Sequence, residues 1–233
     1  MTLKLNKKGI VLLSGGIDSA VCISLALEQN FAVAALHLNY GQKTETRELK
    51  AFVDICDYYD ISERLVVDVS HFKLIGGSSL TDNNMEINKA DLDSHIIPNT
   101  YVPFRNGNIL AIAASWAEII AANAVFIGAN FLDSSGYPDC RPEFFDAFQK
   151  SINLGTKPDS QIEIITPIIS YSKKEIVQKA IELHTPVELT WSCYKEQDSA
   201  CGVCDSCALR LRGFQQAGFD DPIHYQNRPD YLQ

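Results

Sequence analysis

The chain has 233 residues, 46% of them hydrophobic and 21% charged, enough for one good core plus a small appendage. Its formal net charge of −9 repels phosphate backbones, which argues against direct nucleic-acid binding and favours small-molecule substrates. No apolar stretch approaches the ~20 residues of a membrane span, and the apolar run after Lys7-Lys8 meets Ser14-Gly15-Gly16 instead of a cleavage site, so a cytosolic protein with no membrane contact is expected.

In chain order, β-branched apolar runs alternate with amphipathic segments. Strands are predicted at 9–13, 31–38, 64–69, 124–128 and 162–166, and helices at 18–29, 44–59, 107–122, 142–154 and 173–184. This βα alternation predicts an α/β fold: a Rossmann-like parallel sheet with helices on both faces and ligands beyond the carboxyl ends of the strands. The predicted division is an α/β domain over 1–185 and a C-terminal helical region over 186–233 packed on it. Two connections break the alternation, residues 71–105 and 130–142; segments of the first kind are usually active-site lids or unstructured.

Ser14-Gly15-Gly16-Ile17-Asp18-Ser19 follows the first strand and opens a helix, where backbone N–H groups and the helix dipole converge on one anion site. The glycines let the backbone approach phosphate oxygens, and both serines add donors. Neither a Walker A loop nor a G-x-G-x-x-G fingerprint is present. An aspartate inside a phosphate loop makes electrostatic sense with a divalent cation between them, which makes Asp18 the candidate Mg²⁺ ligand. A plain helix N-terminus capped by Ser14 or Asp18 is the alternative.

The loop resembles that of the PP-loop ATP pyrophosphatases, which hold the pyrophosphate of ATP and expose its α-phosphate to a substrate oxygen. The resemblance implies ATP binding by Leu13, Ser14, Gly15, Gly16, Ile17, Asp18, Ser19 and Ala20, with Asp18 and Ser19 also catalytic. Ser172 and Glu175 have capping-box spacing, and Lys173 in the first turn opposes the helix dipole and so calls for an anion. PP-loop enzymes have a lysine there, which makes Lys173 a second phosphate contact; Lys174 is read as a surface residue.

Four of the seven cysteines, Cys193, Cys201, Cys204 and Cys207, fall within fifteen residues, a spacing that suits one tetrahedral Zn²⁺. Four thiolates leave no open coordination position, so the expected role is structural, fastening residues 190–194 to a helix starting near Cys207. An iron–sulfur cluster is the competing reading. Cys22 and Cys56 read as buried small hydrophobes, and Cys140 as a packing or substrate contact without a base to activate it. The histidines His37, His71, His95, His184 and His224 have no metal spacing.

Tyr40-Gly41-Gln42, Leu80-Thr81, Val102-Pro103-Phe104-Arg105-Asn106, the run from Ser135 to Phe144 (SGYPDCRPEF), Asn153-Leu154-Gly155-Thr156, the run from Glu188 to Tyr194 (ELTWSCY) and Cys204-Asp205-Ser206-Cys207 together resemble the QueC family. The likeness spans residues 9–222. It implies a C–N bond-forming ligase of queuosine biosynthesis, the 7-cyano-7-deazaguanine synthase reaction. ATP adenylates 7-carboxy-7-deazaguanine, ammonia gives the amide, and a second adenylation permits loss of water to the nitrile. Family-like alternatives are a paralogue that couples the adenylated carboxylate to another amine, or a tRNA-modifying PP-loop enzyme.

Within that resemblance, Arg105 or Arg141 clamps the substrate carboxylate or a phosphate, with Arg105 the catalytic candidate. Asp139 or Glu143 accepts from the guanine-like edge, and Tyr137 or Phe104 stacks on the ring. Family members are expected to have glycine where Phe104 stands, so this loop is expected to differ or its ring to line the pocket. No glutaminase nucleophile is evident, and ammonia is expected to be taken free. A homodimer is expected from the family, and the tail from His224 onward reads as an interface strand or a disordered end.

Overall fold

The computed structural model describes residues 7–94, 96–132 and 136–232. Residues 1–6, His95, Ser135 at the head of the SGYPDCRPEF run and the last residue of the tail lie outside them. Five strands form one parallel sheet: β1 (Lys7–Leu12), β2 (Phe31–Asn39), β3 (Arg64–Asp68), β4 (Ala124–Ile127) and β5 (Glu163–Ile165). Their spatial order is β3-β2-β1-β4-β5. The chain winds outward from β1 to β3 and then returns to the other side of β1. The order therefore reverses between β1 and β4, and a crevice opens at their carboxyl ends.

The strands form where they do because both faces are covered. In β1, Ile10 and Leu12 join one apolar cluster, and Val11 and the following Leu13 join the other, as the two-residue period requires. Helices α1 (Ile17–Glu28) and α6 (Lys173–Glu182) cover the second face, helped by the Phe52, Ile55 and Cys56 stripe of α2 (Glu45–Tyr58). The first face is covered by α4 (Arg105–Ile120) and α5 (Pro142–Gly155), and Cys140, Cys193, Cys201, Cys204 and Cys207 belong to the same cluster. Cys22 and Cys56 are buried among the apolar residues of the second face. None of the described helices is long and apolar enough to cross a membrane.

The predicted elements recur with their ends moved by a few residues. The helix expected at 107–122 starts two residues earlier, at Arg105, because a buried carboxylate outside the helix accepts from the amide of Asn106. Segment 71–104 is neither unstructured nor a free connection. It contains the one-turn α3 (Phe72–Ile75), and its two arms are tied by Ser79 N–H to Asn99 O at 2.8 Å and Ser78 Oγ to Thr100 O at 3.3 Å.

After α6 the chain runs through residues 183–204 into α7 (Asp205–Ala217), which packs along α6. Gly213 makes that approach possible: a Cβ there would stand 2.5 Å from Lys173 Cγ. The tail is ordered and folds back on its own chain. Ala200 N donates to His224 O at 2.8 Å and Gln226 N to Ala200 O at 2.8 Å. Tyr231 Oη donates to Gly202 O at 2.8 Å, and Asn227 Nδ2 to Cys201 O at 3.1 Å.

Candidate active site

A cavity of ≈ 270 Å³ occupies the switch-point crevice. Its first wall is the loop between β1 and α1. Gly16 is the N-cap of α1 in extended conformation, and no side chain caps the helix, so the capping alternative is not built and the first-turn amides stay directed at the crevice. Ser14 and Ser19 face each other with Oγ atoms 3.1 Å apart, and Ser19 Oγ donates to Gly16 O at 2.9 Å. Gly15 has φ +91°, and a Cβ on it would come within 2.9 Å of Ala51 Cβ and the Glu48 carbonyl oxygen, so only glycine fits there. Of the eight residues expected to bind ATP, all but Gly15 and Ala20 line the cavity; Gly15 packs on α2, and Ala20 is buried in the second core.

Asp18 and Lys173 meet across this wall, with Lys173 Nζ 2.8 and 2.7 Å from the two carboxylate oxygens. The lysine stands at the start of α6, whose N-terminus is closed by the full Ser172–Glu175 capping box. The box occupies the amides of Ser172 and Glu175, and the Lys173 ammonium adds a positive charge beside the crevice.

The second wall comes from the two connections that interrupt the βα alternation. Arg105 opens α4, donates from Nη1 to Tyr40 Oη at 3.3 Å and lies over the Tyr40 ring at 5.3 Å. Tyr137 and Tyr194 complete an aromatic surround, and Tyr137 Oη pairs with Thr100 Oγ1 at 2.9 Å. Cys140 also lines the cavity, but burial, reinforced by the Asp139 charge, pushes its thiol up to about 11, which leaves it protonated and a poor nucleophile.

The other residues expected at the substrate are placed differently. Asp139 is buried behind the wall; its Oδ2 accepts from Asn106 N at 2.9 Å and so caps α4, while Asn106 Nδ2 returns a bond to Asp139 O at 2.9 Å. Arg141 is the N-cap of α5 and Glu143 sits in its first turn, both exposed and off the cavity wall. The Phe104 expectation is corrected as well. Its backbone adopts the left-handed conformation a glycine would take, φ +53° and ψ +29°, and its ring turns outward over Gly107 to meet Phe144 edge-on at 5.7 Å.

The third wall belongs to the cysteine region. Trp191 N donates to Gly15 O at 2.8 Å, pinning this segment to the phosphate loop, and Ser192, Tyr194 and Arg210 reach the cavity. Arg210 is fully buried and paired with Asp221 through Nε at 2.7 Å and Nη2 at 2.9 Å; its Nη1 donates to Thr190 Oγ1 at 2.7 Å and Ser192 Oγ at 3.3 Å. Sequence reasoning passed over Arg210 and Glu48, which look like ordinary polar positions on amphipathic helices.

Below this wall the four cysteine sulfurs lie within 4.8 Å of one another. Cys201 Sγ and Cys207 Sγ are 3.9 Å apart, close to the ~3.8 Å edge of a tetrahedron with bonds of about 2.3 Å to a central metal. Cys193 Sγ also accepts backbone N–H groups from Lys195, Glu196 and Cys201 at 3.3–3.4 Å, donors that favour a thiolate. The donor set therefore fits a metal ion held in a closed tetrahedral site.

A five-stranded parallel sheet with a serine–glycine loop opening α1 at its switch point defines an α/β protein of the PP-loop class. A 4-thiouridine synthetase solved in complex with RNA and bound ATP shares this fold, with a TM-score of 0.51 and 19% identity over 91% of this chain and 50% of that one. The family described as queuosine biosynthesis protein QueC matches residues 8–218, and the chain belongs to it. It is 56% identical to the 7-cyano-7-deazaguanine synthase of Chlorobium chlorochromatii, over 97% of this chain and 99% of the relative. To the enzyme of the same name from Chloroherpeton thalassium it is 58% identical, over 97% and 100%.

Proposed function

We propose that this chain is a 7-cyano-7-deazaguanine synthase, a ligase that converts 7-carboxy-7-deazaguanine and ammonia to the nitrile at the expense of two ATP. The observation that carries the reading beyond family membership is the shape of the cavity. An uncapped helix start, suited to pyrophosphate, faces an arginine within an aromatic surround, suited to a planar carboxylate.

In this reading the amides and hydroxyls of the loop hold the β- and γ-phosphates and leave the α-phosphorus open to the substrate carboxylate. Lys173 exchanges Asp18 for phosphate oxygens as ATP enters. Asp18 would then hold Mg²⁺, which supplies neutralisation of the phosphate charge. Arg105 orients the substrate carboxylate, and Tyr137 packs on its ring. Ammonia displaces AMP from the acyl adenylate to give the amide; the amide oxygen attacks a second ATP, and loss of AMP leaves the nitrile. Cys193, Cys201, Cys204 and Cys207 would hold Zn²⁺, which supplies a cross-link between residues 190–194 and α7 and takes no part in the reaction. The same reading makes residues 186–233 a brace on the 1–185 ATP-binding domain and the protein a cytosolic homodimer, the latter checked by sedimentation.

The test is to mix the protein with ATP, Mg²⁺, ammonium and 7-carboxy-7-deazaguanine and follow products by mass spectrometry. AMP, amide and nitrile are expected in that order. A protein that forms no adenylate from this carboxylate is not this enzyme, and one that forms the adenylate but no amide from ammonium uses another amine.

A further inference from the structure

Between carboxylate and nitrile, one nitrogen loses three protons. Ammonia loses one as the C–N bond forms and the bond to AMP breaks. The amide oxygen takes AMP from ATP as pyrophosphate leaves and the second C–N bond forms. The resulting N-protonated imidate then loses one proton to become neutral and another as AMP departs and the third bond forms. The accepting base returns each proton to solvent before it takes the next. Resting on the reading above, we infer that the Glu48 carboxylate is the base that accepts these nitrogen-bound protons.

Glu48 stands on the cavity wall, on the turn of α2 that packs against Gly15 of the phosphate loop. Oε1 accepts from Thr44 Oγ1 at 2.6 Å and Oε2 from Gln42 Nε2 at 3.1 Å, and Gln42 is itself fixed because its Oε1 accepts from Tyr40 N at 2.9 Å. Each carboxylate oxygen is thus oriented by one donor and keeps a lone pair for a proton. The other acid–base groups on the wall are committed. Asp18 is held by Lys173 and goes to Mg²⁺ in the reading above, Asp205 at the start of α7 accepts from the Asp91 backbone N–H, and burial pushes the Cys140 thiol and the Tyr40, Tyr137 and Tyr194 hydroxyls up.

Glu48 makes no ion pair among the described residues. Burial pushes its carboxyl up to about 7 against the opposing pull of Thr44, Gln42 and Arg105. The charged and titratable groups facing it are Arg105 from α4, Tyr40 beyond β2 and Glu45 on its own helix. A base titrating near neutrality is matched to proton transfer at physiological pH.

The test starts from the amide and ATP, so that protonation of ammonia does not enter, and follows pyrophosphate release and nitrile formation in single turnovers from pH about 6 to 8. In the wild type the nitrile step should rise about tenfold per pH unit up to about 7 and then level, while pyrophosphate release stays flat. Glu48→Gln should keep pyrophosphate release, lose the acid limb and slow nitrile formation on the order of 10²-fold. Glu48→Asp should restore part of the rate with a displaced limb. Wild-type nitrile kinetics in Glu48→Gln would overturn the inference. Should that variant fail to bind ATP, the wild-type profile decides, and a nitrile step without an acid limb also overturns it. A wild type that releases no pyrophosphate with 7-carboxy-7-deazaguanine defeats the functional reading instead.

Discussion

The loop at residues 13–19 and the region from Thr190 to Asp221 are two walls of one cavity, yet their polar groups are disposed in opposite ways. Around Arg210 the donors and acceptors find partners inside the protein: both Asp221 oxygens, Thr190, Ser192 and the Val187 carbonyl all meet one guanidinium. At the start of α1 no side chain closes the helix, and Asp18 and Lys173 pair across the crevice mouth. Satisfied networks hold shape, whereas open donors and exchangeable ion pairs receive ligands. The C-terminal wall is therefore a brace and the loop a receptor, joined at the Trp191 N to Gly15 O bond.

Removing the metal should break this comparison most forcibly. Cys204 is fully buried and precedes α7 as its N-cap, so Cys204→Ser takes one of four sulfur ligands from the closed site. Metal ligation in small sites contributes up to about 10–16 kcal/mol, and a loss of only ~5 kcal/mol lowers the Tm of a chain this long by roughly 10–20 °C. Elemental analysis and calorimetry should find the metal gone and the melting transition moved by at least that much, with strong chelators acting alike on the wild type. One metal per chain and an unchanged Tm in Cys204→Ser would place the brace elsewhere.

Asp18→Ala probes the loop wall and should give the reverse pattern. Activity should fall by 10²–10³-fold, the usual loss when a charge-positioning group is taken from a phosphoryl-transfer site, while the metal stays at one per chain. Stability should change little. Lys173 loses its partner, but the Asp18 side chain is 28% exposed, so solvent screens the change and about 1–2 kcal/mol, or roughly 2–8 °C, is expected. An Asp18→Ala protein with full activity, or one that unfolds, would remove the contrast between receptor and brace.

What the sequence disclosed follows the same division. The phosphate loop and the cysteine spacing are local devices, in which neighbours in the chain are neighbours at the site, and their geometry follows from residue types at fixed offsets. The βα alternation was equally legible because the central strands β1, β2 and β4 are largely buried and mainly apolar. Side-chain direction at a helix start was not. Asp139, Arg141 and Glu143 lie within five residues, yet the 3₁₀ turn at Pro138–Cys140 sends Asp139 inward to cap α4 and leaves the other two in solvent. Glu48 and Arg210 escaped for the converse reason. Each sits at a position that reads as polar surface until a distant segment, the Gly15 loop or Asp221, closes over it.

Phe104 sharpens the comparison at its finest scale, because it stands inside a site-like segment yet faces away from the cavity. A bulky residue at φ +53° costs about 1–2 kcal/mol of backbone strain, and its ring, 54% exposed over Gly107 and Phe144, returns about 1 kcal/mol of burial. Phe104→Ala removes the ring and keeps the strain, so it should destabilise by about 1 kcal/mol. Phe104→Gly removes both and should fall within about 1 kcal/mol of the wild type, which makes glycine the better of the two at the head of a helix where alanine ordinarily wins. Denaturant melts of the pair isolate the backbone contribution, since the ring is absent from each. Both variants should turn over at wild-type rates. A tenfold loss in Phe104→Ala would mean that the ring swings inward to meet the substrate, and that this position belongs with the receptor.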